Sequence, residues 1–410
     1  MKTISIILII ILILGLGLGL GLGLKEKEKE KDKGGNTEKA APNLLSGTDI
    51  FNLKQTEGFG TGTATSTNEF GYLPRFNSNP VYADNKWVAI GYVGDVTLDN
   101  RFLIYYSDDG SKWQKANNAG GISGAGFADV NIIAVGNNIA YGGGSWVAVG
   151  TGVNTDSTIY YSDNAVSWYP AYHDGQAPFG SVGSGVAVAY NGSSWVAVGR
   201  GTSSTIYYSD NAVSWYPAYH DGQVPFGGVE DATGVNVAYN GSSWVAVGKG
   251  VSSNIYYSDN AVSWYPAYHD GQAPFGSYGD DGGGYAVAYN GSSWVAVGVG
   301  TSSSIYYSDN AVSWYPAYHD GQAPFGGLCA ADDVIISGAG VNVVYNGSSW
   351  VAVGAGTSAD IYYSDNAVSW YPASIEDDKL NFPDKRILRG ICFADGNVVI
   401  GAGFTVFYDT

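Results

Sequence analysis

Between residues 186 and 217 the chain alternates short apolar runs with small polar turns. Val-Ala-Val-Ala-Tyr (186–190) ends in Asn191-Gly192, and Trp-Val-Ala-Val-Gly (195–199) ends in a Gly/Thr/Ser stretch. Ile-Tyr-Tyr-Ser (206–209) then leads into Asp-Asn-Ala, and Ser-Trp-Tyr-Pro (214–217) closes the unit. Runs of this length, rich in β-branched and aromatic residues and bounded by turn formers, predict four strands. Asn-Gly between the first two predicts a type I′ hairpin. The first two runs are almost wholly apolar, as in strands covered on both faces. Pro217 suits an outer edge, where no ladder donor is needed.

The pattern repeats. The Trp of the second run recurs at Trp87, Trp146, Trp195, Trp244, Trp294 and Trp350, at separations of 59, 49, 49, 50 and 56 residues. A degenerate seventh copy, NVVIGAG, begins at Asn397. The eighteen residues 206–223, IYYSDNAVSWYPAYHDGQ, recur at 159–176, 255–272 and 305–322, with a partial copy at 361–373. A period near 50 residues with four strands per unit predicts an all-β, seven-bladed β-propeller of four-stranded antiparallel blades over residues 58–410. The last unit stops at TVFYDT (405–410), after its third strand. GYLPRF (71–76) aligns with SWYPAY around a shared Pro. The expectation is that this N-terminal strand pairs with 405–410 and closes the ring, removing the exposed edges.

Each turn between third and fourth strands carries one phrase, YSDDGSKW at 106–113 and YSDNAVSW in later units. It resembles the Asp-box (BNR) motif, S-x-D-x-G-x-x-W, of sialidase-like and photosystem II assembly-factor-like propellers. The matching pairs are Asp108/Trp113, Asp163/Trp168, Asp210/Trp215, Asp259/Trp264, Asp309/Trp314 and Asp365/Trp370. The motif's Ser is Tyr here, and its Gly is Ala165, Ala212, Ala261, Ala311 and Ala367 outside the first unit. The resemblance implies a propeller fold in which the box is structural: the Asp caps the turn, the Trp packs beneath it, and both lie away from any catalytic face.

Composition sharpens the class. The 410 residues include 60 Gly, 32 Tyr and 12 Trp, with 14% charged residues and a net charge of −18. So acidic a chain has little with which to neutralise phosphates, which excludes nucleic acid as a partner. Residues 1–24 hold an uncharged apolar stretch from Ile4 to Leu24, read as a signal peptide or membrane anchor. The charge-alternating KEKEKEKDK opens a disordered linker over 25–57. The apolar stretch and the four NGS triplets favour export, whereas five Lys after the stretch oppose it under the positive-inside rule; a secreted or outward-facing protein is expected, with a cytoplasm-facing anchor as the alternative. Cys329 and Cys392 form no metal-ligand spacing; free thiols and a single bridge both remain open.

All four histidines fall in the repeated phrase, as His173-Asp174, His220-Asp221, His269-Asp270 and His319-Asp320. With the preceding Tyr172, Tyr219, Tyr268 and Tyr318 they are candidate repeated polar–aromatic ligand sites, expected on the face opposite the Asp boxes. Asn191, Asn240, Asn290 and Asn346 begin NGS triplets, which are N-glycosylation acceptors if the chain is exported. A sialidase-like site would require an arginine triad. The arginines, Arg75, Arg101, Arg200, Arg386 and Arg389, do not match one. No catalytic residue, metal ligand or cofactor is assigned. The sequence reading is a non-catalytic interaction or structural module with a protein or glycan ligand. A multivalent lectin using the His-Asp loops is the alternative, and a glycoside hydrolase the distant one.

Overall fold

A computed structural model describes residues 74–76, 81–93, 102–110, 113–118, 126–127, 136–151, 157–180, 183–227, 232–276, 282–326, 328–331, 334–356, 359–373, 388–394, 397–402 and 405–407. The expected leader, residues 1–24, and the linker, 25–57, lie outside them, as do the side chains of both cysteines. Among the described residues every regular element is a strand, and no helix is long and apolar enough to cross a membrane.

The predicted four-strand unit forms as read. In the third unit Ser184–Tyr190, Trp195–Arg200, Ile206–Ser209 and Tyr216–Pro217 pair antiparallel in chain order. The fourth unit repeats this with Thr233–Tyr239, Trp244–Lys249, Ile255–Ser258 and Tyr265–Pro266. The units before and after follow the same order, and the described part of the last is three-stranded, Leu388–Ala394, Asn397–Ala402 and Thr405–Phe407. First strands of successive sheets lie against one another, so the sheets stack face to face in sequence order.

This stacking explains the composition. Along Trp195–Gly199 every residue is buried, although a strand has two faces. Val196 and Val198 pack with Trp244, Ala246, Tyr256 and Trp264 of the following sheet. Trp195 and Ala197 pack with Val147, Val149 and Ile159 of the preceding one. Alternate residues of one strand therefore serve two different cores. The first strand is covered less completely than expected: Val186 and Ala189 are half-buried, because this strand is the sheet's inner edge. Gly185 makes the close stacking possible. A Cβ there would stand 2.7 Å from Val149 Cβ, and Gly234 and Gly284 meet Val198 and Val247 at the same distance.

The turns depart from the sequence reading. Asn191-Gly192 is not a type I′ pair, since only Gly192 has positive φ, 102°. Asn191 Oδ1 instead accepts the backbone N–H groups of Ser193 (2.9 Å) and Ser194 (2.7 Å), which shifts the two-residue loop to Gly192-Ser193. In the Asp-box turn the capping residue is Asn211, whose Oδ1 accepts the N–H groups of Val213 (3.0 Å) and Ser214 (2.9 Å). Asp210, the matched Asp, is exposed, and the same holds for Asp163, Asp259, Asp309 and Asp365 beside their own asparagines. The Asp–Trp spacing is that of the motif, but Asn, one residue after the matched Asp, stands over the free N–H groups. Ala212 sits at φ 64°, and Trp215, fully buried, donates its indole N–H to the Ala212 carbonyl at 2.8 Å.

The two ends of the series correct the reading further, for each Trp was expected to pack beneath its matched Asp. Trp370 is fully buried, but its indole N–H bonds to the Ala367 carbonyl at 2.8 Å. The cap of its turn is Asn366, while Asp365 accepts the Ser349 hydroxyl at 3.1 Å. Trp113 is only half-buried, unlike Trp168, Trp215, Trp264, Trp314 and Trp370, and donates to the Gly110 carbonyl at 3.1 Å. Its strand explains the difference. Later tryptophans are covered by backbone of the preceding unit, whereas among the described residues Gln114–Lys115 pairs with Phe102–Ser107 alone. Asp108 is exposed and forms an ion pair with Lys86. In this turn Ser107 Oγ accepts the Gly110 N–H at 2.9 Å, and Gly110 takes the left-handed position.

The expected ring closure is also corrected. Pro74–Phe76 pairs antiparallel with Lys86–Val93, matching Pro74 to Val93 and Phe76 to Gly91, and not with 405–407. Val81–Ala83 already folds onto Lys86–Val88 through a tight turn at Asp84-Asn85. That turn delivers the upstream chain alongside the same strand, so pairing there closes a far shorter loop than a contact with the distant C-terminal strand would.

Two outcomes follow from this packing. Asn211→Ala should lower unfolding free energy by about 0.5–2 kcal/mol, the cost of a lost cap, while Asp210→Ala should change it by less than about 0.5 kcal/mol. Denaturant melts that ranked the two in the opposite order would return the capping role to Asp210. Burial also pushes the Tyr256 and Tyr306 phenols up from 10.0 to about 12. The unfolded chain then releases protons near pH 10 that the folded chain holds, so stability is full below pH 10 and falls as pH rises toward 12. Tyrosinate absorbance recorded with circular dichroism should show these phenols ionising only as the fold is lost. Complete ionisation near pH 10 in a folded chain would contradict the burial.

Candidate functional site

The fourth strand of each sheet is only a few residues long and would leave a bare edge. The preceding unit covers it. Tyr172 forms a parallel bridge with Ser214, its carbonyl accepting the Trp215 N–H at 3.2 Å, and Tyr219, Tyr268 and Tyr318 repeat this onto Ser263, Ser313 and Ser369. Each sheet is thereby latched to the next through backbone hydrogen bonds.

The His-Asp-Gly-Gln phrase that follows is a turn. His173 and Gln176 exchange both backbone bonds at 2.8 Å, with Asp174 at φ 47° and Gly175 at φ 76°, the type I′ geometry expected of the Asn-Gly pairs instead. Asp-Gly is suited to that turn by conformation alone. The turn itself sits over the outer edge of the next sheet, while the residues after it run alongside the second-to-third-strand turns: the Pro178 carbonyl accepts the Thr158 hydroxyl, and the Phe226 carbonyl accepts the Val251 N–H at 2.9 Å.

The imidazole is half-buried in an aromatic setting. The His173 ring stands 6.0 Å from Tyr216 and 6.3 Å from Tyr207, both edge-on. His220, His269 and His319 meet Tyr265, Tyr315 and Tyr371 in the same way. Nδ1 points inward. In His269 it lies 3.0 Å from the Trp314 carbonyl, which can only accept, so the proton is on Nδ1 there. In His173, His220 and His319 that atom is buried without a partner. Nε2 faces outward, 3.8–3.9 Å from the carboxylate of Asp174, Asp221, Asp270 or Asp320, which is 85–88% exposed. Each copy therefore joins an imidazole N, a free carboxylate and exposed phenol rings.

The sequence reading missed half of this cluster. Tyr208 and Tyr216 are cross-strand neighbours with ring centroids 5.7 Å apart, and Tyr216 is 44% exposed. The pair recurs as Tyr161/Tyr169, Tyr257/Tyr265, Tyr307/Tyr315 and Tyr363/Tyr371. Period-2 alternation in IYYS and the register implied by the tight turn carried that signal. Among the described residues no group of three or more His, Cys, Asp or Glu side chains is placed to hold a metal ion. The NGS asparagines are half-buried at the opposite hairpins, each with its amide oxygen committed to the turn.

No protein-family model matches the chain, and no curated protein matches it. Solved structures similar to it include YCF48 bound to D1 peptide, at 14% identity over 78% of this chain and 87% of that one, with a TM-score of 0.44. BamB from Moraxella catarrhalis shares 11% identity over 80% of this chain and 82% of its own, with a TM-score of 0.41. The GH74 xyloglucanase from Xanthomonas campestris shares 14% identity over 80% of this chain and 66% of its own, with a TM-score of 0.22.

Proposed function

We propose that the chain is a seven-bladed propeller, exported or held at a membrane by its N-terminal segment, that works as a non-catalytic, multivalent protein-interaction module. The observation that carries this reading is the identical outer edge repeated from sheet to sheet. Tyr216, Tyr265 and Tyr315 are 42–46% exposed, as are Tyr219, Tyr268 and Tyr318 at 39–41%. Phenol rings held by cross-strand partners give large contact area at small entropic cost, which is why Tyr is enriched in protein interfaces. A His beside one exposed Asp, with its inward Nδ1 unpartnered in His173, His220 and His319, supports binding better than catalysis.

A glycan is the second reading, favoured by the exposed Tyr ring beside an outward Nε2 and a carboxylate in four copies. The two readings separate experimentally. A photo-crosslinking residue placed at position 216 in the native source should capture protein, and a glycan array should retain nothing. Glycan binding that falls by about tenfold in Tyr265→Ser would transfer the assignment to a lectin. Neither adduct nor retention would leave the outer edge as scaffold.

A further inference from the structure

The outer edge of the sheets is aromatic and acidic at once. In the fourth unit the Tyr257 and Tyr265 rings are 5.7 Å apart, and the His220 ring stands 5.7 Å from Tyr265, edge-on. The Asp221 carboxylate, 85% exposed, lies 3.9 Å from His220 Nε2. A second carboxylate comes from the sheet's own tight turn. Burial, the Tyr265 phenol and the Asp259 carboxylate push the Tyr257 phenol up, which puts Asp259 within electrostatic reach of the ring pair. Tyr208/Tyr216 with His173-Asp174, and Tyr307/Tyr315 with His269-Asp270, repeat the row in the third and fifth units.

Neither carboxylate serves the fold. Asn211, Asn260 and Asn310 cap the tight turns, so Asp210, Asp259 and Asp309 stand exposed beside them. Asp174, Asp221 and Asp270 hold φ of 45–47°, which Asn takes equally well. Among the described residues each of these three carboxylates has its own histidine as its only polar partner.

The same edge holds no cation to balance them. The third and fourth strands of units three to five, with the turns that join them, contain no Lys or Arg. Arg200 and Lys249, the basic residues of 136–378, lie on second strands, with the third strand between them and the edge. In His269 the proton is on Nδ1, so the outward Nε2 is an acceptor. A ligand there meets acceptors and the negative faces of phenol rings. Guanidinium complements both, since it is planar, carries five N–H donors and stacks on aromatic rings while pairing with a carboxylate. A second copy of this chain is disfavoured as the source by its own net charge of −18.

We infer that the outer edges of units three to five take arginine side chains from a basic segment of a partner protein, each guanidinium stacking on an exposed Tyr ring and pairing with a neighbouring carboxylate. The inference rests on the protein-interaction reading and adds the partner's chemistry to it.

A random peptide library panned against the whole chain should enrich Arg-bearing sequences. The best peptide, synthesised and followed by fluorescence anisotropy, should weaken about tenfold or more on Asp174→Asn/Asp221→Asn/Asp270→Asn, a triple that suits the left-handed positions. Glu230→Gln/Asp231→Asn/Asp280→Asn removes the same charge outside the third and fourth strands and should change affinity by less than about threefold. Arg-bearing peptides that weaken equally on both triples, or on neither, would overturn the inference. Enriched peptides without Arg would overturn it too, and their loss in Tyr216→Ser/Tyr265→Ser would leave the interaction reading on the outer edge. No enrichment on a folded chain would overturn both.

Discussion

Every part of this fold depends on one constraint: each sheet has two apolar faces and no interior of its own. The second strand of a unit is buried along its whole length only because neighbours stand on both sides. Trp146, Trp168, Trp195, Trp215, Trp244 and Trp264 are all fully buried or nearly so, in cores shared between consecutive units. Trp113, in the first unit, stays half-buried where that cover is lacking among the described residues. Stability in such an array is the sum of weak units and strong interfaces. Gly185, Gly234 and Gly284 permit the distance at which those interfaces form. The latch from Tyr172 to Ser214 protects the outer edge of the sheet.

The same constraint fixes the scaffold. Many residues of the interfaces and tight turns keep one identity from unit two to unit six because each must fit the next copy of itself. The Asn caps, the Ala at φ 64–66° and the Trp beneath them belong to this set.

The sequence made the strands legible because the apolar runs, the turn residues and the period all agree. It also marked the Trp of each tight turn, whose separation from the preceding Asp survives. What it hid was local competition for backbone N–H groups. Asn191 and Asn211 each take two of them with a side-chain oxygen, which moves the hairpin loop by one residue and transfers the cap from Asp210. The position of His173 was hidden for another reason. It depends on a parallel bridge from one unit to the next, Tyr172 to Ser214, and nothing in the spacing of a single repeat encodes that. Among the described residues Pro74–Phe76 pairs with Lys86–Val93 rather than with 405–407, because an aligned Pro carries less weight than a tight turn already placing it there.

The claim that no sheet is stable without its neighbours is tested most directly by native-state hydrogen exchange on the chain carrying Trp215→Ala. Removing that fully buried side chain costs about 3–5 kcal/mol. The account predicts that amides of Trp146–Gly150 and Trp244–Gly248, in the sheets on either side, lose protection together with those of Trp195–Gly199. Loss confined to the third sheet, with both neighbours exchanging as in the wild type, would contradict it.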